Sequence, residues 1–340
     1  MAATLKDVAR LAGVSTATVS YVVNGTVRVS PQTRERVLAA IKSLDYHPNV
    51  IARSLQGNRT STLGFILPFK ERQVSDPFFL EFLAGIGDEA TRYNFDLLIS
   101  TIPQGASERS VYERVVKSRR VDGLIVADTR HNDERITYLT RQGFPFVAFG
   151  RDGDGLDFPY VDVDGQEGVY LGMQHLISLG HRRIGYVSLP PSLVCASHRL
   201  NGYKKALRDN GLDYHPSLVT VGDLSQSGGY RALEGFLGQL QPPTAVFAGS
   251  DLMALGVINA AQEHGLVVGR DISVMGFDDT QLAAHSHPPL TTVRQPVYRI
   301  GKLVAGMLIQ IIQGAEPKER QVILPPELQI RESTGPAPGK

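Results

Sequence analysis

Charged and hydroxyl residues stand directly after several short apolar runs of this sequence, where they are suited to bind a polar small molecule. They are Asp128, Arg130, Arg151, Ser250, Asp251, Asp278 and Asp279. Carboxylates accept and guanidinium groups donate charge-assisted hydrogen bonds, which a ligand rich in hydroxyl groups requires. A catalytic acid–base role for the pair Asp278-Asp279 would need partner groups that the sequence does not supply. The pattern therefore favours ligand binding over catalysis.

Motifs of the common enzyme and metal sites are absent from the sequence or misplaced in it. The chain has no G-x-x-x-x-G-K-[ST] phosphate loop and no G-x-S-x-G nucleophile motif. The letters G-x-G-x-x-A occur at residues 85–90, but inside the predicted helix 78–93 rather than at its start, where a dinucleotide would bind. His285 and His287 lack a third ligand at metal-binding spacing, and nothing near Cys195 marks it as a nucleophile. We therefore expect no enzyme activity, no cofactor and no bound metal.

The composition narrows the class of protein. A chain of 340 residues with 42% hydrophobic residues can bury two or three separate cores. No apolar run approaches the ~20 residues that span a bilayer, and the first residues lack the pattern of a secretory signal. A single cysteine allows no internal disulfide. These features predict a cytoplasmic protein of several domains.

Basic charge is concentrated at the N-terminus. Residues 1–60 contain eight Lys or Arg residues and three acidic residues, whereas the rest of the chain contains 27 basic and 31 acidic residues. A basic segment on a mildly acidic remainder indicates contact with a polyanion.

The basic segment has the pattern of three short helices. Thr4 and Asp7 have the spacing of a capping box, and an apolar stripe follows them. A second helix is predicted from Thr16, and a third from the cap Ser30 followed by Pro31. Two helices joined by a tight turn and supported by a third are typical of a helix-turn-helix unit, and the pattern alone also suits an oligomerisation module. The predicted exposed side of the second helix has no carboxylate to repel phosphates. That side carries Thr16, Ala17, Thr18, Ser20 and Tyr21.

Two stretches, "LKDVARLAGVSTATVSYVVNG" and "RVSPQTRERVLAAIKSLDYHPNVIARSL", closely resemble the DNA-binding head of the lactose/galactose repressor (LacI/GalR) family. In that family the residues that match Thr16, Ala17 and Tyr21 read bases from the start of the recognition helix. Ala17 departs from the polar residues often found there and offers only apolar contact, for example to a thymine methyl group. The segment 49–55 resembles the family's hinge helix, in which the leucine that matches Leu55 wedges into the minor groove. The DNA-binding candidates are Thr16, Ala17, Thr18, Tyr21, Asn24, Arg53 and Leu55.

From residue 61 onward, short apolar runs alternate with amphipathic segments of helix length. The predicted strands are 62–67, 95–100, 123–127, 145–150, 184–189, 218–221, 245–249 and 272–277. The predicted helices between them include 78–93, 108–119, 166–179 and 199–210. Repeated βαβ units predict doubly wound parallel sheets, and their number predicts two similar lobes with a ligand cleft between them.

This part of the chain resembles the effector-binding core of the same family, which shares the type I periplasmic sugar-binding fold. The resemblance is carried by "RRVDGLIV", "SLGHRRIGYV", "FAGSDLMALG" and "ISVMGFDD", among others. It implies ligand contacts at Arg199 and Asp278, and also at Phe78 and Phe79, of which we expect one to be in the core and one exposed. The effector-binding candidates are Phe78, Phe79, Asp128, Arg130, Arg151, Arg199, Ser250 and Asp278.

The same resemblance implies the organisation of the chain. The expected parts are a helix-turn-helix domain at 1–47, a hinge helix and linker at 48–60, and an effector-binding and dimerisation domain at 61–340. The chain is expected to cross between the lobes near Val161, Leu290 and Leu324. The first lobe then comprises about 61–161 and 291–323, and the second about 162–290 and 324–333.

These features predict a sequence-specific DNA-binding transcription regulator, a repressor whose affinity for a palindromic operator is switched by a small molecule. The stretch 127–151 resembles sugar-responsive regulators, particularly those for α-glucosides, while family members with purine ligands use the same cleft. A sugar-binding transport protein would share the lobes but would need a secretory signal and no basic head. The tail after Ile330 has no apolar heptad that could build a coiled coil, so we expect a homodimer rather than a tetramer.

The wedge and base-reading assignments predict separable effects on DNA binding. Leu55→Ala should weaken operator binding and reduce DNA bending, because the methyl group of alanine is too short to separate the central base step. Tyr21→Ala should change the preferred bases, since base contacts specify sequence whereas phosphate contacts do not. Binding-site selection and gel-based bending assays measure the two effects. Equal bending by Leu55→Ala and the parent, or a uniform loss of affinity in Tyr21→Ala, would contradict the assignments.

Overall fold

The computed structural model describes residues 3–24, 27–46, 59–67, 77–103 and 105–339. The predicted hinge helix, with Arg53 and Leu55, lies outside the described residues, as does the side chain of Asn24. The chain divides into two compact units, one within residues 1–61 and 119–122 and the other within 62–118 and 123–340. None of the helices among the described residues is long and apolar enough to cross a membrane.

The first unit contains the three predicted N-terminal helices. They are α1 (Leu5–Ala12), α2 (Thr16–Asn24) and α3 (Pro31–Ser43). Thr4 caps α1 in a reciprocal capping box with Asp7, and Gly13 ends it in a left-handed conformation with φ 63°. Ser30 caps α3 ahead of Pro31. The small core of this unit is formed by Val8, Ala9, Ala12, Val19, Val22, Val37, Ala40 and Tyr46. The predicted helix-turn-helix fold is confirmed.

The second unit is built on two six-stranded sheets. The first contains β1 (Thr62–Ile66), β2 (Asp96–Ser100), β3 (Gly123–Val126), β4 (Phe146–Phe149), β5 (Tyr160–Val163) and β11 (Gln321–Leu324). The second contains β6 (Ile184–Ser188), β7 (Val219–Val221), β8 (Ala245–Ala248), β9 (Ser273–Asp278), β10 (Thr291–Arg294) and β12 (Glu327–Gln329). The strand orders are 2-1-3-4-5-11 and 7-6-8-9-10-12, and every pairing except β10–β12 is parallel. The predicted pair of doubly wound lobes is confirmed.

Helices cover the faces of both sheets. They are α4 (Pro77–Arg92), α5 (Glu108–Ser118), α6 (Glu134–Gln142), α7 (Gly165–Ser178), α8 (Val194–Asp209), α9 (Gln226–Leu237), α10 (Asp251–Glu263), α11 (Gln281–His285) and α12 (Val297–Ile312). A single 3-10 turn, Pro216–Leu218, is described between α8 and β7. Helix α8 begins five residues before the predicted start at Arg199, because the apolar residues Val194 and Ala196 are buried in its first turn.

The chain passes between the sheets three times. It leaves the first sheet after β5, returns after β10, and leaves again after β11. The predicted second crossing at Leu290 is therefore too early, since Thr291–Arg294 pairs with β9 of the second sheet. The reason is burial: Thr291, Thr292 and Val293 are fully buried within the second lobe, and only the following helix α12 joins the core of the first.

The segment after β12 lies along the second lobe and covers a buried histidine. The amide of Val274 in β9 donates to the carbonyl oxygen of Ser333 at 2.8 Å, and the hydroxyl of Ser333 donates to the carbonyl oxygen of Val274 at 2.6 Å. His181 is fully buried, with Nδ1 at 2.8 Å from Thr244 Oγ1 and Nε2 at 3.1 Å from the carbonyl oxygen of Gly335. Burial lowers the pKa of His181 below its ordinary value of 6.5. The folded chain therefore keeps this imidazole neutral.

This burial predicts a loss of stability in mild acid. Below pH 6.5 the unfolded chain binds a proton that the buried imidazole of His181 does not, so the free energy of unfolding falls as the pH decreases towards the lowered pKa. One such group contributes a slope of at most about 1.4 kcal/mol per pH unit. Urea unfolding of the parent and of His181→Gln between pH 7.5 and 5.5 measures the difference between the slopes, in which the other titrating groups cancel. Identical slopes would show that His181 does not titrate in this way.

Candidate functional site

The exposed face of α2 is the candidate nucleic-acid interface of the first unit. Thr16, Ala17 and Tyr21 are exposed, and 41% of Tyr21 is accessible to solvent. Thr18 is half-buried, and its hydroxyl lies 2.9 Å from that of Ser15, which caps the helix. Exposed basic residues surround the helices of this unit: Lys6, Arg10, Arg28, Arg34, Arg36 and Lys42. The face combines hydrogen-bonding and apolar groups with a positive field.

The second unit has a cleft where strands of both sheets end. Its lining is Phe78, Phe79, Asp128, Thr129, Phe149, Gly150, Asp162, Leu189, Leu193, Cys195, Arg199, Leu224, Ser250, Asp278 and Gln295. Asp128 and Ser250 follow β3 and β8, the strands at which the order of each sheet reverses. Ligands of doubly wound sheets bind at this point, beyond the carboxyl ends of the strands. The space among the lining residues is about 740 Å³, including the part that is open to solvent, which is the size of a small-molecule site.

Arg199 is the charged centre of the second-lobe wall. The residue is only 7% exposed, Nη1 donates to the carbonyl oxygen of Gly249 at 2.5 Å, and Nη2 lies 3.9 Å from Oδ1 of Asp278. Its guanidinium carbon lies 3.7 Å from the ring centre of Phe277, a cation–π contact. Within the described residues, no acceptor lies within hydrogen-bond distance of Nε. A buried donor without an acceptor costs free energy, so Nε is a point where an oxygen atom of a ligand would be stabilised.

Asp278 is held in an uncommon backbone conformation at the end of β9. Its φ is 125°, in the region that L side chains rarely adopt, and the following Asp279 has a φ of 57°. The side chain of Gln295 donates to Oδ1 of Asp278 at 2.6 Å. Asp279 is fixed in turn by Arg294 at 2.6 Å and Arg331 at 2.5 Å. The carboxylate of Asp278 therefore borders the cleft in a fixed orientation.

The first-lobe wall is mainly aromatic. Phe79 is buried in the core at 6% exposure, whereas Phe78 is half-buried and stacks on Phe149 with ring centres 5.8 Å apart. Asp128 and Asp162 are the acids of this wall, and none of the described residues donates a hydrogen bond to the carboxylate of Asp128. Burial raises the pKa of Asp128, and the positive charges of Arg135 and Arg130 offset part of this effect. This wall thus presents apolar ring faces beside two carboxyl groups, of which that of Asp162 is paired with Arg151.

Both units match models of known protein families. Residues 4–49 match the model of the bacterial regulatory proteins of the lacI family, and residues 173–334 match that of the periplasmic binding protein-like domain. The HTH-type transcriptional repressor PurR of Aliivibrio salmonicida is 35% identical over 97% of this chain and 98% of its own. The chain belongs to the lacI family.

Two solved structures of this family resemble the chain over nearly its full length. The complex of the transcriptional regulator CelR with cellobiose has a TM-score of 0.76 and 34% identity, covering 97% of this chain and 99% of its own. The dimer of the lac repressor bound to operator and the anti-inducer ONPF has a TM-score of 0.85 and 31% identity, covering 98% and 100%. Members of this family are transcription regulators rather than enzymes, as the sequence predicted.

Two of the predicted effector residues of this lacI-family chain are absent from the described cleft lining. Arg130 forms a two-pronged ion pair with Glu108, at 2.6 and 2.9 Å. Arg151 is bonded to Asp162 at 2.5 Å. Both guanidinium groups thus neutralise carboxylates of the first lobe. The other six candidates, Phe78, Phe79, Asp128, Arg199, Ser250 and Asp278, line the cleft.

Sequence reasoning missed several residues of the lining. Asp162 lies within the buried strand β5, and Gln295 follows β10, which was not among the predicted strands. The residues before Gln295, Thr291–Arg294, do not form an apolar run, so no local pattern identifies it. Cys195 also borders the cleft, where burial raises the pKa of its thiol to about 12 and keeps it unreactive at neutral pH.

The close contact at Gly150 predicts that this position requires glycine. Its φ is 114°, and a Cβ atom there would lie 2.5 Å from Oγ1 of Thr129. Gly150→Ala should therefore lower the free energy of unfolding by about 1–3 kcal/mol. The matched control is Gly143→Ala, which also has a positive φ, 60°, but has no atom within 4 Å of the added Cβ. Thermal or urea unfolding compares the two variants, and an equal cost would contradict the steric argument.

Proposed function

We propose that this protein is a homodimeric, cytoplasmic transcription repressor that binds a palindromic operator. A sugar bound in the cleft either lowers or raises its affinity for that operator. The observation that carries the effector part is the buried guanidinium of Arg199, a residue of the cleft lining beside Asp278, whose Nε lacks an acceptor among the described residues. The DNA-binding part rests on the exposed face of α2 within a basic unit.

The DNA-binding proposal assigns base contacts to the start of α2. Thr16 and Tyr21 are exposed and can form hydrogen bonds with base edges, while Ala17 can contact a thymine methyl group. The lac repressor of the solved complex binds operator as a dimer. A two-fold dimer of this chain would place two α2 helices on half-sites about one helical turn apart.

The chemistry of the cleft favours a neutral, hydroxyl-rich ligand. Asp128, Asp162 and Asp278 are the acids of its lining, and Arg199 is the cation. The cations beside Asp162 and Asp278 already neutralise those carboxylates, so no cation of the lining is left to offset the charge of a phosphorylated ligand. Sugar hydroxyls can donate to Asp278 and accept from Nε of Arg199, as charge-assisted bonds. CelR binds cellobiose, which is a ligand of this class.

A purine or nucleoside is the second candidate effector. The stacked rings of Phe78 and Phe149 offer a flat apolar face on which a base could lie, and Asp128 could accept from an exocyclic amine. The same rings also suit the C–H face of a pyranose. The two ligand classes therefore need a direct comparison.

The switch follows from the position of the cleft. A ligand that contacts both walls favours the lobe arrangement to which it binds more tightly, and it can shift the equilibrium only by that difference in affinity. We propose that this ligand-dependent change in lobe arrangement alters the affinity of the protein for DNA.

A thermal-shift screen of sugars and purines, with and without palindromic DNA, tests the proposal. A neutral mono- or disaccharide should raise the melting temperature of the full-length chain, because it binds the folded state alone. The set should include maltose and cellobiose, their phosphorylated forms, adenine, guanine and adenosine. Stabilisation by purines but by no sugar would replace the sugar proposal with the second candidate.

Arg199 and Asp278 should carry much of the effector affinity. Arg199→Ala and Asp278→Ala should each weaken binding of the stabilising sugar ten- to a hundredfold, because each loses a charge-assisted bond of about 1.5–3 kcal/mol. DNA affinity without the sugar should change little. Titration calorimetry and DNA-binding assays measure the two effects. Arg270→Ala is the matched control, since Arg270 is an exposed residue of the same lobe that pairs with Asp271. If Arg199→Ala and Asp278→Ala retain the sugar affinity of this control, the assignment of the cleft is wrong.

A further inference from the structure

The two lobes are joined at the rim of the cleft by a short backbone bridge. The amide of Val194 donates to the carbonyl oxygen of Thr129 at 3.0 Å, and the amide of His131 donates to that of Ser192 at 3.1 Å. Arg130 and Leu193 are the central antiparallel pair. Residues 129–131 come from the first lobe, after β3, and residues 192–194 from the second, at the start of α8. We call the two segments together the rim bridge.

The first-lobe half of the rim bridge is fixed to its own lobe. The guanidinium of Arg130 is held by Glu108 of α5, and its amide donates to Asp133 at 3.1 Å. The hydroxyl of Thr129 donates to the carbonyl oxygen of Arg151 at 3.0 Å. This half therefore cannot follow the second lobe without breaking an ion pair or a hydrogen bond of its own.

The second-lobe half is fixed in the same way. The amide of Leu193 donates to the carbonyl oxygen of Pro190 at 3.0 Å, and Leu193 and Val194 are buried at 6% and 2% exposure. Val194 is also the first residue of α8, the helix that carries Arg199. Because both halves are rigid, the lobes can separate at this rim only if the two bridging hydrogen bonds break.

Side chains reinforce the rim bridge and connect it to the cleft. Nε2 of His131 lies 3.4 Å from Oγ of Ser197 in the second lobe, and Nδ1 lies 3.3 Å from Oδ1 of Asp154 in the first. Thr129 and Leu193 belong to the lining of the cleft as well as to the bridge. The protein's own backbone thus joins the lobes beside the ligand site.

We propose that the rim bridge is a latch that holds the two lobes together beside the ligand site through protein atoms alone. Loss of one net hydrogen bond changes an equilibrium about two- to tenfold. Removing one bond of the latch should therefore shift the ratio of open to closed protein by that factor. The latch is independent of the identity of the effector, so its test needs no ligand.

Val194→Pro removes one bridging donor with little cost to the helix. Proline is well accommodated at the first position of a helix, where the amide has no partner within the helix. Leu193, with φ −81° and ψ 132°, already has the conformation that a residue before proline requires. Val194→Ala is the matched control, because it shortens the same buried side chain but keeps the amide.

The two variants are compared as full-length proteins without added ligand. Hydrogen exchange at the amide of His131, the other donor of the bridge, should be about two- to tenfold faster in Val194→Pro than in Val194→Ala. Small-angle scattering should show a larger radius of gyration for Val194→Pro. Equal exchange and equal scattering in the two variants would overturn the proposal.

If Val194→Pro does not fold, a disulfide cross-link tests whether the two halves of the rim bridge are in contact. Arg130 and Leu193 lie between the two bridging hydrogen bonds, and facing residues in such a pair are close enough for a disulfide. In a Cys195→Ala background, Arg130→Cys with Leu193→Cys should form an intramolecular disulfide under mild oxidation, nearly completely and without ligand. Failure to form it in a folded variant whose two thiols both react with a small reagent would show that the rim is open. The single-cysteine variants control for cross-links between chains.

Discussion

The buried charge of Arg199 is the interaction around which the second-lobe wall of the cleft is organised. A guanidinium that is 7% exposed has lost most of its hydration, and that loss must be offset by neighbouring groups. The ends of β8 and β9 supply them: the carbonyl oxygen of Gly249, the ring of Phe277 and the carboxylate of Asp278. These partners offset most of the lost hydration, but within the described residues Nε of Arg199 still has no hydrogen-bond acceptor.

The partners of Arg199 depend on a second set of charges further from the cleft. Asp278 has a φ of 125°, and such a conformation persists only where the surroundings fix it. Gln295 bonds its carboxylate, and the next residue, Asp279, is clamped between Arg294 and Arg331. Arg331 belongs to the segment after β12, so the C-terminal end of the described chain supports the ligand-facing end of β9.

The first-lobe wall of the cleft depends on the loop that follows β3. This loop contributes Asp128 to the cleft lining. Arg135 stabilises the loop, because its guanidinium donates to the carbonyl oxygen of Asp128 at 2.7 Å. The same loop reaches the second lobe through Thr129 and His131. One rigid loop thus contributes to the ligand site and to the contact between lobes, which is the physical condition for a ligand to influence lobe arrangement.

Most helices and strands of the protein follow from the amino-acid sequence alone, because their signals are local. The capping box at Thr4, the Ser30-Pro31 start and the apolar runs before Asp128 and Ser250 depend only on neighbouring residues, and the structure has a helix or strand at each. Which charged residue at a strand end lines the cleft depends instead on contacts between residues that are distant in the sequence. Arg130 and Arg151 were predicted there, but their carboxylate partners, Glu108 and Asp162, lie 22 and 11 residues away in the sequence. The crossing after Arg294 was decided in the same way, since β10 is identified by its pairing with β9 and β12 rather than by its own residues.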